Sequence, residues 1–88
     1  MNVLKPASAG TMESSDAYVE IEPGKGQLNI NVESVVKKQF GEKIKASVKD
    51  VLNEYGVEDA NVRIVDRGAL DCVIRARVET AIFRAKGD

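Results

Sequence analysis

The chain has no histidine and no tryptophan, one cysteine, two prolines, and only two phenylalanines and two tyrosines in 88 residues. Each scarcity closes a route. Without histidine, neither a Ser-His-Asp nor a Cys-His nucleophilic arrangement can be built, and a histidine-ligated metal is excluded as well. One cysteine, Cys72, excludes an intrachain disulfide framework and fits a reducing compartment. No apolar run approaches the roughly 20 residues that cross a bilayer as a helix, and the first residues lack the apolar centre of a secretory signal. Thirteen basic residues against fourteen acidic ones leave a net charge of −1, without the basic excess that favours a phosphate backbone. The expectation is a cytoplasmic protein with no nucleic-acid, membrane or metal partner.

What is present is enough for one domain. A chain of this size buries only about 60–65% of its unfolded surface, so its stability is modest and partners help it. Hydrophobic residues at 43% and charged residues at 31% are ordinary for a globular protein.

Residues 1–16 read as a flexible N-terminal arm, with 17–88 as a single α+β domain. Pro6 lacks a backbone donor, and Ala7, Ser8, Ala9 and Gly10 have little to bury. From Ala17 the pattern turns strand-like: Val19 and Ile21 alternate with Tyr18, Glu20 and Glu22. After Pro23-Gly24-Lys25-Gly26, Leu28, Ile30 and Val32 alternate with polar neighbours, which predicts an antiparallel hairpin. Ser34 is a candidate helix cap. Val36, Phe40, Ile44, Val48, Val51, Leu52 and Tyr55 then recur at helical spacing, and Gly56 marks the stop. Gly41, inside that helix, costs about 1 kcal/mol relative to alanine. Val62 and Ile64 predict a third strand, closed by Asp66-Arg67-Gly68. Residues 71–79 fit either a strand or a helix; the alternation of Ile74, Ala76 and Val78 with Arg75, Arg77 and Glu79 favours a strand, followed by a short helix from Thr80. The expected order is ββαββα, a small antiparallel sheet with one long amphipathic helix on it. There is no internal repeat and no low-complexity tract.

The chemical candidates are few. Pro23-Gly24-Lys25-Gly26 joins two strands and opens no helix, so it is a turn and not a phosphate cradle. Glu20 and Glu22 lie on one side of a strand, where a solvated sheet face is the plain explanation. Cys72 reads as a small buried apolar residue. Arg75 and Arg77 would project from one sheet face, either to solvent or to a partner. What remains is Ala9-Gly10-Thr11-Met12-Glu13-Ser14-Ser15-Asp16, small and polar, with two adjacent hydroxyls between carboxylates. It suits either a solvated loop or an attachment point, because a modified hydroxyl needs an accessible loop with small neighbours.

The chain resembles the acyl carrier protein, or gamma subunit, of citrate lyase. The resemblance is carried by Pro6-Ala7, the 9–16 segment, Val-Val-Lys-Lys-Gln-Phe-Gly at 35–41, Asp50-Val51-Leu52, Asp66-Arg67-Gly68-Ala69-Leu70-Asp71-Cys72 and Arg75-Ala76-Arg77. It runs in order over nearly the whole chain. It implies that Ser14, and not Ser15, bears 2'-(5''-phosphoribosyl)-3'-dephospho-CoA through a phosphodiester. The group's thiol would carry acetyl and citryl thioesters between the alpha (acyl transferase) and beta (lyase) subunits, cleaving citrate to oxaloacetate and acetate. Further partners implied are the transferase that attaches the prosthetic group and the ligase that acetylates it, with Met12, Glu13 and Asp16 as recognition residues for the former. On this reading the chain is a carrier in citrate fermentation, not catalytic alone. The carrier of malonate decarboxylase and a plain scaffold domain are the alternative readings.

Overall fold

The computed structural model describes residues 2–34 and 37–86. Its elements are β1 (Ala7–Gly10), β2 (Ala17–Pro23), β3 (Leu28–Ser34), α1 (Lys37–Glu54), β4 (Ala60–Asp66) and α2 (Asp71–Ala85). The four strands form one sheet in the order β1-β2-β4-β3. β1 and β2 are antiparallel, as are β2 and β4, while β3 runs parallel to β4. The class is α+β, a small sheet packed on a long helix, as expected, but the order is βββαβα rather than ββαββα, the sheet is mixed rather than antiparallel, and α2 covers it beside α1.

Apolar rows running across the strands show why the sheet has a buried face. Ala9, Val19, Ile64 and Val32 lie in register across all four strands, and so do Ala7, Ile21, Val62 and Ile30. On these rows sit Ile44, Val48, Val51 and Leu52 of α1, at helical spacing, and Ile74, Val78, Ala81, Ile82 and Ala85 of α2. α1 lies over β3, α2 over β1 and β2, and the two helices touch. The opposite face is polar: Arg63 binds Glu20 and, at 3.2 Å, Glu33, while Asn29 donates to Asn61 at 2.9 Å. Glu20 is therefore part of a cross-strand ion pair on an open sheet face.

Three expectations are corrected. The hairpin between residues 17–22 and 27–33 does not form, because β4 lies between β2 and β3 and pairs with both. Alternation sets which face a strand buries but not which strand is its neighbour. Since β3 and β4 are parallel, a crossover must join them, and α1 supplies it. Residues 71–79 are helix, within α2. Over five residues both periods fit; over twelve the buried stripe Ile74, Val78, Ala81, Ile82, Ala85 fits only the helix, and Ala76, inward in the strand reading, is exposed. Cys72, in the first turn of α2, is exposed rather than buried.

The entry of the chain also differs from a sixteen-residue arm. Val3 is in the core, the Leu4 and Lys5 amides donate to the Ala85 carbonyl at 2.9 and 3.3 Å, and Ala7–Gly10 is the sheet's edge strand. Small residues suffice there because an edge strand facing a helix has little volume to fill. α1 ends as the glycine predicts. Gly56 is left-handed at φ 68, Val57 N–H donates to Leu52 at 2.8 Å, and Gly56 N–H donates to Asn53 at 3.1 Å, the paired bonds of a Schellman motif. Val36 and the start of the helix after Ser34 lie outside the described residues. Ser34 itself donates its hydroxyl to Asp66 at 2.8 Å.

The buried stripe of α2 makes a direct test. Ile82→Ala removes a fully buried side chain and is expected to cost about 2–5 kcal/mol, lowering the Tm of a domain this size by at least about 8 °C. Phe40→Ala, at a side chain 44% exposed, is expected to move the Tm far less. Equal shifts in thermal unfolding would contradict the packing.

Candidate functional site

Ser14 lies in the six-residue connection between β1 and β2, at residues 11–16. The Asp16 amide donates to the Glu13 carbonyl at 3.2 Å, which closes a β-turn with Ser14 and Ser15 at its two central positions. Ser15 has φ 65, the sign a type II turn demands at its third residue and one that a side chain adopts at a cost. Both serines are exposed, and neither hydroxyl has a hydrogen-bond partner among the described residues. Their backbones differ. The Ser15 amide donates to the Arg67 carbonyl at 2.8 Å, tying that residue to the β4–α2 connection. Ser14 occupies the outer corner.

One carboxylate organises the connection. Asp16 Oδ1 accepts from the Ala17 amide at 2.7 Å and from Arg77 Nε at 3.0 Å. Its Oδ2 accepts from the Thr11 hydroxyl at 2.7 Å and from an Arg77 terminal nitrogen at 2.9 Å. Arg77 thus grips Asp16 with both prongs, the geometry in which an arginine–carboxylate pair is strongest. The Thr11 hydroxyl also accepts from the Glu13 amide at 3.2 Å. The Arg77 guanidinium, then the Thr11 hydroxyl and the Ala17 amide, hold the Asp16 carboxyl well below the usual carboxylate range. Asp16 is only 15% exposed at its side chain. It faces the fold, whereas Met12 and Glu13 are exposed.

A second carboxylate shapes the adjoining connection. Asp66, 2% exposed, accepts from the Gly68 and Ala69 amides at 3.2 and 2.9 Å as well as from Ser34. Arg67 N–H donates to the Asp16 carbonyl at 2.9 Å, so the β2–β4 ladder runs one residue beyond the strands and binds the two connections together. In the next turn, Asp71 accepts from Ser47 and, at 2.8 Å, from Arg75, which also reaches Asp50 at 3.2 Å. These contacts lower the Asp71 pKa, that of the Ser47 hydroxyl most, and link α2 to α1. Between α1 and the β4–α2 connection runs an open groove of about 840 Å³, with Phe40, Ile44, Ala69, Leu70 and Ile74 among its walls.

Sequence reasoning singled out Ser14 as a candidate and expected Arg75 and Arg77 to project from one sheet face. They are on α2: Arg75 serves the helix pair and Arg77 the Ser14 connection. No local signal joins Asp16 to a residue 61 positions away. Gly10 carries one trace of it. Its φ is +93, and a Cβ there would lie 1.9 Å from the Ala17 carbonyl oxygen and 3.1 Å from Arg77 Cδ. Only glycine lets the two strands and the arginine close up.

Among the described residues no group of side chains could hold a metal, and no helix is long and apolar enough to cross a membrane. The family model described as malonate decarboxylase delta subunit matches residues 4–85. A protein named citrate lyase acyl carrier protein from Pectobacterium atrosepticum is 49% identical over 85 residues, 97% of this chain and 88% of that one. One of the same name from Haemophilus influenzae (strain PittEE) is 51% identical over the same shares. In a crystal structure of a Pseudomonas malonate decarboxylase hetero-tetramer in complex with malonate, one chain shares the fold. Its TM-score is 0.78 at 24% identity, over 97% of this chain and 92% of that one.

Two outcomes follow from the Asp16 clamp. The folded pKa lies below the ordinary 3.8, so the clamp's stabilisation is complete above that value and is lost as pH falls through the folded pKa. The Tm gap between the native chain and Asp16→Asn is therefore expected to be widest at neutral pH and to close toward about pH 2; a gap unchanged across that range would refute the clamp. Gly10→Ala is expected to cost at least about 1–3 kcal/mol from backbone strain alone and to speed amide exchange at Ser15, read by NMR. Exchange at Ser15 equal to that of the native chain would contradict the close approach.

Proposed function

Because this chain belongs to the citrate lyase acyl carrier protein family, we propose that it is the acyl carrier subunit of a cytoplasmic citrate lyase, with Ser14 as the covalent anchor of its prosthetic group. Membership of the family makes the chain a carrier with no catalysis of its own. It also implies a covalently attached prosthetic group. Identities of 47–51% to proteins of that name, over 97–100% of the chain, favour citrate lyase over malonate decarboxylase as the complex it serves.

The geometry around Ser14 fits such a group. The observation that carries the reading is an exposed hydroxyl, without a partner among the described residues, on the outer corner of a turn held in place by its neighbours. Esterifying it would break no hydrogen bond. The group, proposed as phosphoribosyl-dephospho-CoA, supplies a thiol on a long tether that holds an acyl residue as a thioester. Everything else falls to the chain. Thr11, Asp16 and Arg77 fix the base of the turn, while the Ser15 amide holds the turn to Arg67. A fixed base gives the tether a defined origin, and an intramolecular delivery replaces a diffusional encounter with an effective concentration in the millimolar range for a short flexible link. The alpha and beta subunits are the proposed docking partners; the attaching transferase acts on the Ser14 loop, and the acetylating ligase on the thiol of the attached group.

Carrier isolated from its native host is expected to show one large mass increment, which tandem mass spectrometry assigns to Ser14. Ser14→Ala is expected to abolish citrate cleavage by the assembled complex while leaving assembly intact, and Ser15→Ala to retain it. An active native complex whose carrier is unmodified would sink the proposal, and activity surviving Ser14→Ala would make the chain a scaffold.

A further inference from the structure

Four of the five arginines in the chain are committed. Arg63 binds Glu20 and Glu33, Arg75 binds Asp71 and Asp50, Arg77 binds Asp16, and Arg84 donates to the Ser8 carbonyl at 2.9 Å. Arg67 differs. It is exposed, and among the described residues its guanidinium has neither a hydrogen-bond nor an ion-pair partner. Its main chain, in contrast, is held on both sides. The N–H donates to Asp16 and the carbonyl accepts from Ser15, at 2.9 and 2.8 Å. The next two amides, of Gly68 and Ala69, are held by the buried carboxylate of Asp66. One hydrogen bond and one peptide link separate the Arg67 backbone from Ser14.

The charges around the turn sharpen the point. Asp16 is matched by Arg77, which leaves Glu13 and Arg67 as the uncommitted charges of the two joined connections. A phosphodiester formed at Ser14 would put a second negative charge beside Glu13. Arg67 is the cation whose backbone is already placed against that turn. Its planar fork of donors matches the two non-bridging oxygens of a phosphodiester, as a lysine point charge does not. Resting on the reading that Ser14 carries the group, we propose that Arg67 is the anion-binding residue of the attachment site, its guanidinium taking the non-bridging oxygens of the phosphodiester at Ser14.

A side chain free before attachment is engaged after it, so the tether leaves the turn in a restricted direction. The pair is exposed, so it is salt-sensitive and modest in strength.

The test compares the full ¹⁵N-labelled chain before and after loading by the host's attaching enzyme, with occupancy of Ser14 read separately by mass. On loading, the Arg67 Nε–H resonance is expected to shift and to exchange with solvent up to about fivefold more slowly. Those of Arg75 and Arg84 stay in place, and the Arg67 protection fades at about 0.5 M salt. In loaded Arg67→Gln the ³¹P resonance of the diester is expected to move, and Arg67→Lys to restore it only in part. A fully loaded Ser14 with an unchanged Arg67 signal overturns the proposal and leaves the Ser14 reading standing. A chain that carries its mass increment elsewhere overturns both.

Discussion

The contact between Asp16 and Arg77 joins parts of the molecule that nothing local would bring together. Asp16 ends the β1–β2 connection; Arg77 is in the middle of α2, which packs over the same two strands. The carboxylate also takes the Thr11 hydroxyl and the Ala17 amide, so one group at once closes the loop, starts the strand and docks the helix. A charge at this depth is tolerable only when its lone pairs are satisfied, and four donors satisfy them. Removing Arg77 would leave the carboxylate half-buried and the loop without its anchor. The position of Ser14 depends on this contact more than on any property of Ser14 itself.

The strands and the long helix were legible because their signals are local. Expected strands at 17–22 and 27–33 are observed as Ala17–Pro23 and Leu28–Ser34, and Val62 and Ile64 lie within Ala60–Asp66. The Gly56 stop is present with its full hydrogen-bond pattern. Pairing was not legible. Two alternating runs around a Pro-Gly turn suit a hairpin equally well whether or not a third strand comes between them. What decides is the central place of β4, which pairs along its length with β2 on one edge and β3 on the other, and whose Ala60, Val62, Ile64 and Asp66, all on one face, are buried. β1 escaped notice for the opposite reason, since Ala-Ser-Ala-Gly has almost no hydrophobic signal and owes its conformation to β2 and α2.

The candidate site divides the same way. The hydroxyls, the small neighbours and the family resemblance pointed to Ser14. The two members of the pair that fixes the turn are 61 positions apart, and the one arginine left uncommitted beside the turn is more than 50 positions from Ser14. Arg75 and Arg77, two residues apart, looked equivalent in a strand; on a helix they point to different partners and do different jobs. A carrier that is not catalytic alone has no need of a histidine to move protons.

The amides of Leu4 and Lys5, bonded to the Ala85 carbonyl, have a consequence for how the molecule can be handled. β1 runs from Ala7, opposite Ile21, to Gly10, opposite Tyr18, so the contact of Leu4 and Lys5 with Ala85 is at the mouth of the β1–β2 hairpin and the turn is at its tip. A fluorophore or a surface linker attached at Leu4, 65% exposed, emerges at the mouth. Immobilised through that position, the domain would keep its tip toward solution.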